Sequence, residues 1–160
     1  YSGYDISSNF SRFWRYTMEK HWSRGGDVPS LAINPKDPAI VYAGFRDGGV
    51  YKSTNGGANW TAMNSGLPGV YGIGVYALAI DPESPQILYA GISGDGVYKS
   101  TNGGASWTEM NTGLNSTYVM ALAINAKTPA ILYAGIWGGG TYKYRERFEA
   151  MPWIPLLLED

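Results

Sequence analysis

The chain has 160 residues, 44% of them hydrophobic and 16% charged, with a formal net charge of −1 and no cysteine. That is enough apolar material for a packed core and too little charge for disorder, and it excludes disulfides and Cys-ligated metals. Nucleic-acid binding would need a basic face and a membrane span a longer apolar run than any present, while 22 Gly, 13 Tyr and 6 Trp suit short strands joined by tight turns.

Residues 1–30 form an aromatic extension. Phe10, Phe13, Trp14, Met18, His21 and Trp22 fall near one face at helical spacing, with Ser8 or Asn9 placed to cap. This predicts a helix or a stray strand packed on the rest of the chain; a docking segment for a partner is the competing reading. His21 is the only histidine, so a His-based triad or a multi-His metal site within one chain is impossible. No metal, catalytic residue or cofactor is assigned.

From residue 31 the sequence repeats itself. Leu31-Ala32-Ile33-Asn34 returns as Leu78-Ala79-Ile80-Asp81 and as Leu122-Ala123-Ile124-Asn125, at spacings of 47 and 44 residues. Ile40-Val41-Tyr42-Ala43-Gly44 returns from Ile87 and Ile131, and Gly49-Val50-Tyr51-Lys52-Ser53 returns from Gly96 and, loosely, from Gly140. Trp60-Thr61-Ala62-Met63 returns as Trp107-Thr108-Glu109-Met110 and faintly as Phe148-Glu149-Ala150-Met151. Each copy therefore holds four short apolar runs bounded by Gly, Pro, Asn or Asp, which read as strands. The first two runs are almost continuously apolar and are expected to be buried on both faces; the outer two alternate. Four strands in such a period match a β-propeller blade. The fold class is all-β, with three blades at 31–76, 77–121 and 122–151 and an apolar tail at 152–160.

The turn between the third and fourth runs repeats as well: Ser53-Thr54-Asn55-Gly56-Gly57-Ala58-Asn59-Trp60, then Ser100-Thr101-Asn102-Gly103-Gly104-Ala105-Ser106-Trp107. A short polar side chain at Asn55 or Asn102 can bond nearby backbone amides. Gly57 and Gly104, each in a Gly pair, supply positive φ, and Trp60 and Trp107 pack the hairpin on the blade. This turn resembles the Asp-box (BNR repeat) of sialidases, sortilin-type receptors, xyloglucanases and the photosystem II assembly factor. Asn replaces the signature Asp in both copies, and Asn59 and Ser106 replace the usual Thr. The third copy, Tyr144-Arg145-Glu146-Arg147, loses the motif and reads as a shorter, charged turn. The resemblance implies a propeller, and because most families with this turn are exported, an extracytoplasmic or secreted setting.

Propeller sites lie on the face made by loops joining second to third strands and one blade to the next. On this chain that face would carry Phe45, Arg46, Asp47, Tyr71, Asp95, Tyr118 and Trp137, with the box turns on the opposite side serving stability. Trp137, in a Gly-rich loop, could stack on a sugar ring or a partner, or cover the channel. Asp47 and Asp95 read as equivalent loop residues; they are turn formers beside Gly unless they act as the acid pair a glycosidase needs. No arginine triad of the sialidase kind is arranged on the repeat. Three blades cannot close a ring that needs about four to eight. The sequence therefore points to a non-enzymatic binding or scaffolding module completed by a homo-oligomer or protein partner, the alternative being a carbohydrate-active protein, either a lectin or part of a xyloglucanase-like or sialidase-like hydrolase.

Overall fold

The computed structural model describes residues 26–69, 74–125, 131–145 and 153–155. The aromatic extension, Tyr71 and most of the tail lie outside them. Twelve strands succeed one another: β1 Ser30–Ile33, β2 Val41–Phe45, β3 Gly49–Ser53, β4 Thr61–Ala62, β5 Gly74–Ile80, β6 Leu88–Ser93, β7 Gly96–Ser100, β8 Thr108–Glu109, β9 Val119–Asn125, β10 Ile131–Ile136, β11 Gly140–Arg145 and β12 Trp153–Pro155. They make three four-stranded antiparallel sheets, β1-β2-β3-β4, β5-β6-β7-β8 and β9-β10-β11-β12. Each sheet is one blade, and β5 and β9 pack on the first two strands of the preceding blade. Among the described residues no helix is long and apolar enough to cross a membrane.

The blades start earlier than the sequence repeat, at Gly74 and Val119 rather than 77 and 122. The reason is a bulge. Val75 pairs with Ile92 but Ala77 with Gly91, leaving Tyr76 extra; Val119 pairs with Ile136 but Ala121 with Gly135, leaving Met120 extra. An extra residue reverses the side-chain alternation. Val75 therefore joins the same core as Ile80, and Val119 the same core as Leu132.

The fourth strand of the last blade is also displaced. Lys52 pairs with Thr61 and Lys99 with Thr108, nine residues on, whereas Lys143 pairs with Ile154, eleven on. The connection is longer than in the first two blades, not shorter, and the strand comes from the tail; the expected Phe148–Met151 lies outside the described residues. The Ser-x-Asn-Gly-Gly string that sets the length of the other two connections does not recur in the third copy.

Two apolar cores lie between the three blades. One, between the first and second, gathers Tyr42, Val50, Val75, Leu88, Ile92 and Trp107. The other, between the second and third, gathers Tyr89, Val97, Val119, Leu132, Ile136 and Tyr142. The second strands are buried nearly throughout in the first two blades, as their unbroken apolar runs require. The first strands β1 and β9 are not: each alternates buried and open positions, because among the described residues one face has no blade against it.

Candidate functional site

The β2–β3 connections all have the same frame. Phe45 pairs with Gly49, Ile92 with Gly96 and Ile136 with Gly140, so three residues bridge each hairpin and a glycine with positive φ closes it. In this frame Arg46, Ser93 and Trp137 are equivalent. Asp47 matches Gly94, and Asp95 matches Gly48, so the two carboxylates lie in corresponding loops of different blades but not at corresponding positions. Each hairpin of the first two blades is held by an amide one strand away. Asn64 Oδ1 accepts the Val50 N–H at 2.7 Å and its Nδ2 donates to the Gly48 carbonyl at 3.3 Å. Asn111 repeats this on the Val97 N–H and the Asp95 carbonyl, both at 2.7 Å. The clamp is a third repeated feature, visible in sequence as Met63-Asn64 and Met110-Asn111 but carrying no strand or turn signal of its own.

At this end of the blades the aromatic residues stand out. Trp137 is 73% exposed and Tyr118 is 54% exposed. They are joined through the backbone: the Trp137 N–H donates to the Tyr118 carbonyl at 2.9 Å. Tyr118 also bridges to Ser93 of the neighbouring blade, and the adjoining Thr117 carbonyl accepts the N–H groups of Gly94 at 3.1 Å and Gly96 at 2.9 Å. The Thr117 hydroxyl donates back to the Gly94 carbonyl at 2.8 Å. Two large rings thus stand in solvent on a backbone that is tied to two blades. Among the described residues both rings keep much of their apolar area in water, area that a ligand or partner could cover.

The other expected members of this face divide. Arg46 sits at the position of Trp137 in the first blade, with its N–H on the Asp27 carbonyl at 3.0 Å and its guanidinium 3.3 Å from the Asp27 carboxylate. That hydrogen bond raises the Arg46 pKa further above its already high value, as do the charges of Tyr76, Asp27 and Asp47. Asp47 is exposed and Asp95 half-buried. Phe45 is buried, edge-to-face with Tyr51 at 5.1 Å, and does not belong to the surface. Among the described residues no group of three or more His, Cys, Asp or Glu could hold a metal ion.

The box turns lie at the opposite ends of the hairpins and are built as their residues imply. The Ser53 and Ser100 hydroxyls accept the N–H of Gly57 at 2.8 Å and of Gly104 at 2.9 Å, and donate to Asn55 and Asn102 Oδ1 at 3.0 and 2.9 Å. The same oxygens take the N–H of Asn59 and Ser106, each at 2.9 Å. Asn102 adds a bond no aspartate could make, from Nδ2 to the Ser106 hydroxyl at 2.8 Å. The second turn is also a joint between blades. Its Gly103 carbonyl accepts the Tyr42 hydroxyl at 3.0 Å and Lys52 Nζ at 3.2 Å, and Trp107 Nε1 donates to the Met63 carbonyl at 2.8 Å. In the first turn Trp60 Nε1 donates within its own hairpin, to the Gly57 carbonyl at 3.0 Å. A shallow groove of about 150 Å³ lined by Lys99, Glu109, Met110 and Tyr144 lies between the second and third blades, beside the second box turn.

No family model and no curated protein matches the sequence. Solved structures do. The chain is similar to a GH74 enzyme from Niastella koreensis, with 28% identity over 72% of this chain and a TM-score of 0.59. It is similar in fold to the GH74 xyloglucanase from Xanthomonas campestris, with 22% identity over 81% of this chain and a TM-score of 0.56. The extracellular domain of a putative hybrid two-component system from B. thetaiotaomicron shares the fold at 17% identity, 77% coverage and a TM-score of 0.56. The chain spans 19%, 23% and 16% of those three proteins' own lengths. The all-β, propeller-type architecture is therefore common to all of them.

Proposed function

We propose that these blades belong to a carbohydrate-active propeller and that the rim carrying Tyr118 and Trp137 binds a polysaccharide. The observation that carries this reading is the pair of solvent-facing rings on a backbone anchored to two blades. A flat aromatic face can stack on the apolar face of a pyranose ring, and a fixed backbone lowers the ordering cost of binding. The likeness to GH74 enzymes supports this class of ligand over the protein-binding module that the repeat alone favours, and an extracytoplasmic setting goes with it. The role of this rim is binding. Asp47 and Asp95, the two acids that could form a hydrolytic pair, occupy non-equivalent positions in clamped hairpins, and each reads as a turn former.

Calorimetry and NMR titration with xyloglucan and cello-oligosaccharides test the reading. Saturable binding with shifts at Tyr118 and Trp137 is expected, weakened roughly tenfold by Trp137→Ala, which corresponds to about 1.4 kcal/mol. Asp47→Asn and Asp95→Asn are expected to leave it unchanged. Absence of binding at millimolar sugar, or binding indifferent to Trp137→Ala, refutes the assignment.

A further inference from the structure

The two outer faces of the three-blade stack are the two halves of the interface that joins its blades internally. On one face of each first strand stand large aliphatic residues: Leu31 and Ile33, Leu78 and Ile80, Leu122 and Ile124. On the other face stand small ones: Ser30 and Ala32, Ala77 and Ala79, Ala121 and Ala123. Within the stack the large face of one blade packs on the small face of the blade before it. Leu78 and Ile80 pack in the core between the first and second blades beside Ala32, and Leu122 and Ile124 pack in the core between the second and third beside Ala79. The glycines of the second strands make the fit close. A Cβ at Gly44 would lie 2.6 Å from Val75 Cγ1, and one at Gly91 would lie 2.6 Å from Val119 Cγ1.

Among the described residues both halves are open at the ends. Leu31 is 57% and Ile33 60% exposed, where Ile80 is 8% exposed. Ala121 and Ala123 are exposed where Ala77 and Ala79 are buried, and a Cβ at Gly135 would meet only Ala121, at 3.4 Å. The polar part of the joint is open too. A Cβ at Gly56 has nothing within 4 Å, whereas at Gly103, its counterpart, it would meet Lys52 Nζ and the Tyr42 hydroxyl. Their counterparts in the last blade are Tyr133 and Lys143.

We propose that a second copy of this chain docks head to tail, placing its Leu31 and Ile33 on Ala121, Ala123 and Gly135 of the first. Its Gly56 carbonyl then receives Tyr133 and Lys143 of the first copy, as the Gly103 carbonyl receives Tyr42 and Lys52 within one chain. The proposal is independent of the sugar-binding reading. The occupant is a second copy because the matching half of this interface is present on the same molecule. Used twice, the interface closes a ring of six blades, within the range of about four to eight that propellers adopt.

Sedimentation and light scattering of the full chain across 1–100 μM, on the order of the range where weak homodimers titrate, test it. The wild type is expected to sediment as two copies. Leu31→Lys with Ile33→Lys, and separately Ala121→Arg with Ala123→Arg, are expected to raise the dissociation constant roughly tenfold or more while leaving circular dichroism unchanged, all four positions being exposed. Mixing the two variants restores one intact interface and is expected to return a dimer containing one of each. A wild-type monomer throughout, variants that dimerise like the wild type, or a mixture that stays monomeric would each overturn the proposal; a monomer would assign these faces to blades other than those of a second copy.

Discussion

Trp107 ties two blades together, and its replacement isolates the strength of that joint. Its side chain is only 4% exposed and its indole N–H reaches the Met63 carbonyl of the neighbouring blade at 2.8 Å. The Trp107 N–H also donates to the Ser65 carbonyl at 2.9 Å, so the indole is held by its own backbone. Replacing a buried aromatic residue with Ala costs about 3–5 kcal/mol. Trp107→Phe keeps most of the apolar area but strands the Met63 carbonyl, a cost of about 1–3 kcal/mol. Trp60 is the internal control. It occupies the same place in the first box turn, is half-buried where Trp107 is buried, and its indole N–H stays within its own hairpin on the Gly57 carbonyl, so Trp60→Phe is expected to cost less than about 1 kcal/mol. Urea unfolding followed by circular dichroism, at a concentration where the chain is monomeric, gives both values from midpoints at constant slope. Equal losses for Trp60→Phe and Trp107→Phe would refute the claim that the cross-blade bond distinguishes the two turns.

The glycines of the second strands make a graded series: Gly44→Ala and Gly91→Ala force Val75 or Val119 aside and should cost about 1–3 kcal/mol by overpacking, whereas Gly135→Ala should fall within about 0.5 kcal/mol in the monomer, as thermal melts would show. Asn111→Ala removes the clamp on the Val97 N–H and the Asp95 carbonyl, and is expected to cost about 1–3 kcal/mol and to raise amide hydrogen exchange at Val97. Asn102→Asp keeps both bonds accepted at Oδ1 and loses only the donation to Ser106, so unfolding midpoints should shift by less than about 0.5 kcal/mol. Burial, with Glu109 and Asp95 nearby, raises the Tyr98 pKa above the usual value. The folded state therefore holds that proton when the unfolded state has lost it. The stability this gives is complete below about pH 10 and is lost as pH climbs through the folded pKa. Tyr98→Phe should flatten that alkaline decline in urea midpoints; an unchanged decline counts against it.

The readable parts of the fold were those set by local chemistry. The recurrence of Leu-Ala-Ile, Tyr-Ala-Gly and Gly-Val-Tyr-Lys-Ser marks three four-stranded units, because each unit meets the same neighbours. The box turns follow from Ser, Asn and paired Gly, whose hydrogen bonds close within a few residues. Trp137 was visible as a candidate because a lone aromatic residue interrupts glycines. The offset of Asp95 from Asp47 was not, since the two lie in similar strings and only the strand register separates them. Nor were the clamps of Asn64 and Asn111, which reach hairpins 14 residues back in the chain.

Sequence alone determined the architecture: the 47- and 44-residue spacings, the strand count and the turn type all rest on contacts local in the chain. Tertiary structure decided the rest. It showed the bulges at Tyr76 and Met120 that turn Val75 and Val119 into the joints, the fourth strand drawn from Trp153–Pro155, and the proximity of Tyr118 to Trp137. It also distinguished Trp107 from Trp60, and Leu31 from Leu78. The same residues in corresponding motifs differ there, among the described residues, in whether another blade lies against them, and burial depends on that neighbour rather than on the residue itself.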